Sequence, residues 1–201
     1  MCSRYRVDAT GRELAARFGV PPPPGWEPGD ELALGSMAPV LIAAPAKRFS
    51  LLRFGLRPGW AGEDAKPMLN ARAESLAVKP YFRDAYRRRR CLVPAAAWLE
   101  TPKRGADKSV RRLTLADGGL LAFAGLWEPG TFAVVTVEPN PLVRAIHDRM
   151  PAILAPGDEA AWLDERTPPE RLAELLRPFP SERLACRHEA PQPQGDLFGA
   201  V

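Results

Sequence analysis

Short apolar runs alternate with polar and turn-forming residues along the whole chain, and their spacing predicts many short strands mixed with short helices. Residues 4–7 read as a strand. Thr10-Gly11-Arg12-Glu13 has capping-box spacing, and Leu14, Ala15 and Phe18 then share one helical face. Prolines 21–24, Gly25 and Pro28-Gly29 end that helix in a long loop. Residues 40–44 and 48–56 are β-like. Residues 75–78 and 82–89 read as two helical pieces interrupted at Lys79-Pro80, the second ending in the run Arg87-Arg88-Arg89-Arg90, which reads as a solvated helix-end cluster favourable to the dipole. Strand character returns at residues 91–94 and continues to Trp98-Leu99-Glu100. Residues 110–115 and 120–127 suggest a hairpin about Asp117-Gly118-Gly119. A strand at 132–137, helical turns at 141–147, an extended stretch at 152–154, helices at 159–163 and 169–176, and a strand at 184–188 complete the pattern. Residues 195–201 read as a loose tail.

Strands and helices alternate without regular βαβ spacing, which favours an α+β fold, mainly antiparallel, over a doubly wound sheet. The expected architecture is a barrel-like β core with short peripheral helices. A chain of 201 residues, 46% hydrophobic, is long enough for one substantial core and short for two. One domain over residues 1–190 and a tail at 191–201 are therefore expected. No apolar run approaches bilayer-spanning length, so no membrane association is expected, and the N-terminus lacks a charged-then-apolar leader pattern. Cys2, Cys91 and Cys186 are odd in number with no Cys-x-x-Cys spacing, which argues against a disulfide framework and against a metal site.

The net charge is only +4, but the basic residues comprise 23 Arg and five Lys. Arginine's planar fork suits phosphate, so nucleic acid enters as a partner class. The position with the most distinctive chemistry is Cys2. Removal of Met1 would leave a chain that begins with a thiol and an α-amine on one residue. Both groups have accessible nucleophilic forms near neutral pH. Such an aminothiol condenses with an aldehyde, first as an imine and then as a five-membered thiazolidine.

Five segments carry a family resemblance: Met1-Cys2, Asn70-Ala71-Arg72-Ala73-Glu74, Arg90-Cys91-Leu92-Val93-Pro94, Ala124-Gly125-Leu126-Trp127-Glu128 and His147-Asp148-Arg149-Met150-Pro151. In order and kind they resemble the signatures of the SRAP (SOS response-associated peptidase) family of abasic-site processing proteins, over roughly positions 2 to 163. The resemblance implies capture of the ring-opened aldehyde of an abasic site in single-stranded DNA through Cys2, held as a thiazolidine crosslink, with lyase-type and self-processing peptidase activities. It implies Asn70, Glu100 and His147 as the remaining catalytic residues, no cofactor, a monomer, and a cytoplasmic bacterial setting, nucleoid-associated on damaged DNA. Arg4, Arg72 and Arg83 are expected to contact DNA phosphates, with Trp60 and Pro39 as surfaces for bases.

Each assignment has a competitor. Glu100 is suited to shuttle protons, with Glu74 and Glu128 as rival carboxylates. His147 beside Asp148 is either a structural hydrogen-bonding group or the donor to the sugar's leaving oxygen. Asn70 either orients the amine or sugar or serves a chain turn, and Arg72 either binds phosphate or pairs with Glu74. Core packing competes for Trp60. Ser3 stands where the family has Gly, Trp98-Leu99-Glu100-Thr101 replaces an aromatic-rich stretch of the Phe-Tyr-Glu-Trp type, and the Asn that commonly precedes the Ala-Pro pair is missing before Ala38-Pro39. The rival function classes are an N-terminal-nucleophile amidohydrolase, a non-catalytic single-strand-binding module, and a protease acting on other proteins. The first needs Gly after the Cys and an Asn-Gly pair, and neither is present.

Overall fold

The computed structural model describes residues 3–29, 31–43, 46–62, 64–102 and 109–189. In chain order the elements are β1 (Tyr5–Arg6), α1 (Gly11–Phe18), β2 (Glu31–Leu32), β3 (Met37–Ile42), β4 (Arg48–Phe54), β5 (Asn70–Arg72), a 3-10 turn (Ala73–Ser75), α2 (Pro80–Arg88), β6 (Arg90–Ala95), β7 (Ala97–Glu100), β8 (Arg111–Leu115), β9 (Leu121–Glu128), β10 (Thr131–Val137), α3 (Pro141–Arg144), β11 (Met150–Pro151), α4 (Pro156–Leu163), α5 (Pro169–Leu175), a second 3-10 turn (Ser181–Arg183) and β12 (Leu184–His188).

Five strands close into a barrel. β3 pairs antiparallel with β4 and β6, β6 with β9, and β9 with β10; β10 then closes the ring on β4 in parallel. β10 also pairs with β5 in parallel and with β11 antiparallel, so it hydrogen-bonds to four strands. A second, antiparallel sheet in the order β12-β8-β7-β1-β2 packs on the barrel. Aromatic edges join the layers: Tyr5 meets Phe54 and Phe123 at 5.5 and 6.1 Å, and Trp98 meets Phe123 at 6.1 Å. The mainly antiparallel α+β fold with a barrel-like core and short helices is as the sequence pattern predicts.

Local chemistry explains the helix ends. Thr10 and Glu13 form the reciprocal capping box of α1, Leu14 and Phe18 are its buried face, and Gly19 closes it at φ +72°. Asn140 caps α3 by accepting from Val143 N–H at 2.9 Å, while its amide donates to Phe179 O at 2.7 Å.

Three expectations are corrected. The turn at Asp117-Gly118-Gly119 exists, with Gly118 at φ +77° and Asp117 Oδ1 accepting from Gly119 N–H, but β8 and β9 do not pair. β8 is half-buried with only Leu113 fully covered, and belongs to the second sheet; β9 is buried at all positions except Trp127 and belongs to the barrel. The hairpin is instead β9 to β10 through Pro129-Gly130, with Glu128 opposite Thr131 and Gly130 at φ +83°. Pro80 starts α2 rather than interrupting a helix, because its missing N–H falls where a helix has no acceptor; only a 3-10 turn precedes it. Nor is the arginine run wholly solvated. Arg90 is buried and donates to four backbone carbonyls, those of Tyr86, Arg87, Trp162 and Asp164, tying the C-terminal ends of α2 and α4 together. Arg89 pairs with Glu128.

Candidate functional site

Alternation along β10 sets Phe132, Val134 and Thr136 on one face. Phe132 stacks on Phe54 at 5.0 Å, and Phe54 meets Tyr5 of the second sheet, so this face looks into the layer between the sheets. The parallel register places Asn70 beside Val134 and Arg72 beside Thr136, which turns both side chains the same way. Asn70 is buried, and its carboxamide oxygen has no hydrogen-bond partner among the described residues. It is an acceptor held ready for a donor. Arg72 is exposed; its side chain makes no hydrogen bond or ion pair among the described residues, and its charge acts only at longer range, on Glu74.

Glu100 arrives from the second sheet. It ends β7 and is buried, and two residues earlier Trp98 faces Phe123, so Glu100 looks into the same layer from the other side. β1 lies against β7 with Tyr5 opposite Trp98, and Leu99 N–H donates to Arg4 O at 3.0 Å. Ser3 and Arg4, just ahead of β1, therefore run beside the end of β7 that carries Glu100. Cys2 itself lies outside the described residues, as do residues 191–201 assigned to the tail. Arg4 is half-buried, its guanidinium on Glu31 at 3.2 Å and near Thr101.

His147 is buried after α3. The backbone N–H of Arg149 donates to its Nδ1 at 3.0 Å, and Asp148 Oδ1 lies 2.8 Å from the same nitrogen. One nitrogen cannot serve both at once: the N–H needs its lone pair, and the carboxylate needs a proton there. The backbone donor is fixed while the Asp148 side chain is 69% exposed, so the neutral ring takes the backbone bond and carries its proton on Nε2. Protonation would turn Nδ1 toward Asp148.

Arg149 has no role in the reading from sequence, yet it organises this corner. Its guanidinium forks onto Glu74 at 3.0 and 2.9 Å and also donates to Thr136 O at 2.6 Å. Glu74 is thus taken by Arg149 and not by Arg72. Partial burial pushes the Glu74 carboxyl up, but the Arg149 bond, a backbone bond and the charges of Arg149 and Arg72 outweigh it, leaving it below its ordinary value. The one hint in the sequence is its place in His147-Asp148-Arg149-Met150-Pro151, two residues after the histidine. The other rival carboxylate, Glu128, is held by Arg89.

The remaining candidates are spread out. Trp60 is 65% exposed and touches Tyr81 edge-on, so it is not a core residue. Arg83 is exposed on α2. Pro39 is buried within β3 opposite Leu51, which leaves little of its ring for a base. Among the described residues no three His, Cys, Asp or Glu side chains gather as a metal site, and no helix is long and apolar enough to cross a membrane.

Comparison with known proteins adds a separate line. The family model described as SOS response associated peptidase (SRAP) matches residues 1–190. The abasic site processing protein YoqW of Bacillus subtilis is 31% identical over 201 residues, covering 92% of this chain and 90% of its own. The abasic site processing protein HMCES of Xenopus tropicalis is 28% identical, with 78% of this chain and 62% of that protein covered. Among solved structures, a Bordetella bronchiseptica protein superposes with a TM-score of 0.82 at 26% identity, covering 94% of this chain and 100% of that one.

Proposed function

The chain belongs to the SOS response-associated peptidase family, and we propose that it processes abasic sites in single-stranded DNA by trapping the ring-opened sugar aldehyde on Cys2 once Met1 is removed. What carries the reading is that buried Asn70 and Glu100 face one layer from its two sides, with exposed Arg72 two residues beyond Asn70, beside the strand that begins three residues after Cys2. The curated relatives named above, abasic site processing proteins in their own right, support it.

The chemistry balances simply. The α-amine adds to the aldehyde carbon to give a carbinolamine, which loses water to an imine; the thiolate then adds to that carbon, and the nitrogen takes up a proton. One water leaves and a thiazolidine remains. Glu100 donates to the departing oxygen and handles the protons of nitrogen and sulfur. His147 serves the sugar's ring oxygen through its Nε2–H. Asn70 orients the amine or the opened sugar's hydroxyl through its unsatisfied oxygen. Arg72, Arg83 and Arg4 hold backbone phosphates, and Trp60 offers a surface to bases. From the imine, the same groups serve a lyase reaction, and self-removal of Met1 is the peptidase reaction. The protein acts as a monomer without a cofactor.

The test incubates purified protein with single-stranded DNA carrying an abasic site and looks for a heat-stable covalent band on a denaturing gel, beside Cys2→Ala. A band with the wild type alone supports capture. Glutamine hydrolysis without a band would favour an amidohydrolase, and tight binding with no band in either protein would favour a non-catalytic module.

A further inference from the structure

The outer face of α2 and its N-cap carries Lys79, Arg83 and Arg87 at four-residue intervals. Such steps keep the three within about 80° around the helix and about 6 Å apart along it. All three are exposed, while Phe82 and Ala85 on the opposite face are buried. Neither the Lys79 nor the Arg87 side chain makes a hydrogen bond or ion pair among the described residues; Arg83 has a 3.6 Å approach to Asp84, the one acid on this helix.

Helix stability does not account for the stripe. Like charges four residues apart repel, and although Arg87 suits the C-terminal end of the dipole, Lys79 sits at the N-cap, where a cation is disfavoured. The stripe follows on from the site along the chain: the 3-10 turn Ala73–Ser75 follows Arg72 directly and leads to Lys79. A row of exposed cations following a phosphate ligand fits a polyanion laid along the helix.

We infer that Lys79, Arg83 and Arg87 form a track for the backbone phosphates of the strand that leaves the lesion on one side. This rests on the abasic-site reading and extends it by assigning Lys79 and Arg87 and by giving the footprint a direction. Phosphate binding of this kind adds affinity without sequence preference.

The test compares wild type with Lys79→Gln/Arg87→Gln by fluorescence anisotropy across salt concentrations, with thermal melts to confirm folding. Three kinds of probe are used: an abasic strand with about two nucleotides on each side, the same strand extended by about ten nucleotides on one side or the other, and an undamaged long strand. The wild type should gain affinity from extension on one side only. On that probe and on the undamaged strand, the variant's log K against log salt slope should fall by about 1.4, or roughly 0.7 for each of the two phosphates no longer neutralised, with no change on the short probe. Equal slopes on the long probes, or the same loss on the short one, would overturn the track. Failure of the wild type to capture the short abasic probe would instead count against the underlying reading, and the anisotropy slopes would still decide the track.

Discussion

Arg149 holds Glu74 through two parallel hydrogen bonds, Nη1 to Oε1 and Nη2 to Oε2, while the same Nη2 reaches the buried carbonyl of Thr136. Planar, two-point contact is specific to a guanidinium. Arg149→Lys keeps the charge and loses the fork, and it leaves Thr136 O without its donor. The expected cost is about 1–3 kcal/mol in unfolding free energy, read by urea denaturation. A variant as stable as wild type would show that the fork is incidental.

The same pair sets an acid dependence. Because the Glu74 carboxyl is held below its ordinary 4.5, it stabilises the fold fully above that value, and the contribution fades as pH falls through the lowered one. The stability gap between wild type and Glu74→Gln should therefore be flat above about pH 5.5 and shrink in more acid solution. With its side chain 58% exposed, the gap should stay below about 1 kcal/mol. Growth of the gap on acidification would contradict the sign.

Gly125 sits where two strands crowd it. A Cβ there would lie 2.8 Å from both Cys91 Sγ and Val93 Cγ2 and 3.2 Å from the Ala133 carbonyl. Gly125→Ala should cost about 1–3 kcal/mol. Adding Cys91→Ala should recover part of that, since it removes one of the two clashing atoms; thermal melts of both variants measure it.

Affinity and chemistry should separate by residue. Glu100→Gln and His147→Ala are expected to slow crosslink formation or reversal by roughly 10²- to 10⁴-fold at unchanged DNA affinity. Arg72→Ala should do the opposite, lowering affinity and the salt slope by about 0.7 while leaving the capture rate at saturating DNA in place. Single-turnover gels and anisotropy distinguish the two patterns.

Arg90 is a structural arginine within a basic run. Burial lowers its pKa, and its guanidinium is spent on main-chain carbonyls. Arg90→Ala strands these acceptors, and a loss on the order of 3 kcal/mol is expected by chemical denaturation.

Elements whose cause is local are legible in the sequence. The capping box at Thr10 and the strand at Leu184–His188 follow from residues within a few positions of each other. Pairing is not, because partners are chosen by burial across the whole molecule: the Asp117-Gly118-Gly119 turn has the residues of a hairpin but hands the chain from one sheet to the other. The spacing of Asn70 and Arg72 indicates a shared face, but only the parallel register with β10 and the burial show that Asn70 is directed inward between the layers while Arg72 reaches solvent. The role of Arg149 is hidden for the same reason, since nothing in its neighbours identifies Glu74, 75 residues away, as its partner.

β10 lends its backbone to four other strands, and Asn70 and Arg72 are fastened to its middle. Such a strand cannot fray on its own, because releasing it opens the ring. Its central amides, at Val134 to Thr136, should trade hydrogen for solvent deuterium only when the whole molecule unfolds. The scaffold under the reactive groups is then as durable as the protein itself, and any give needed to admit a DNA strand must come from the loops around it.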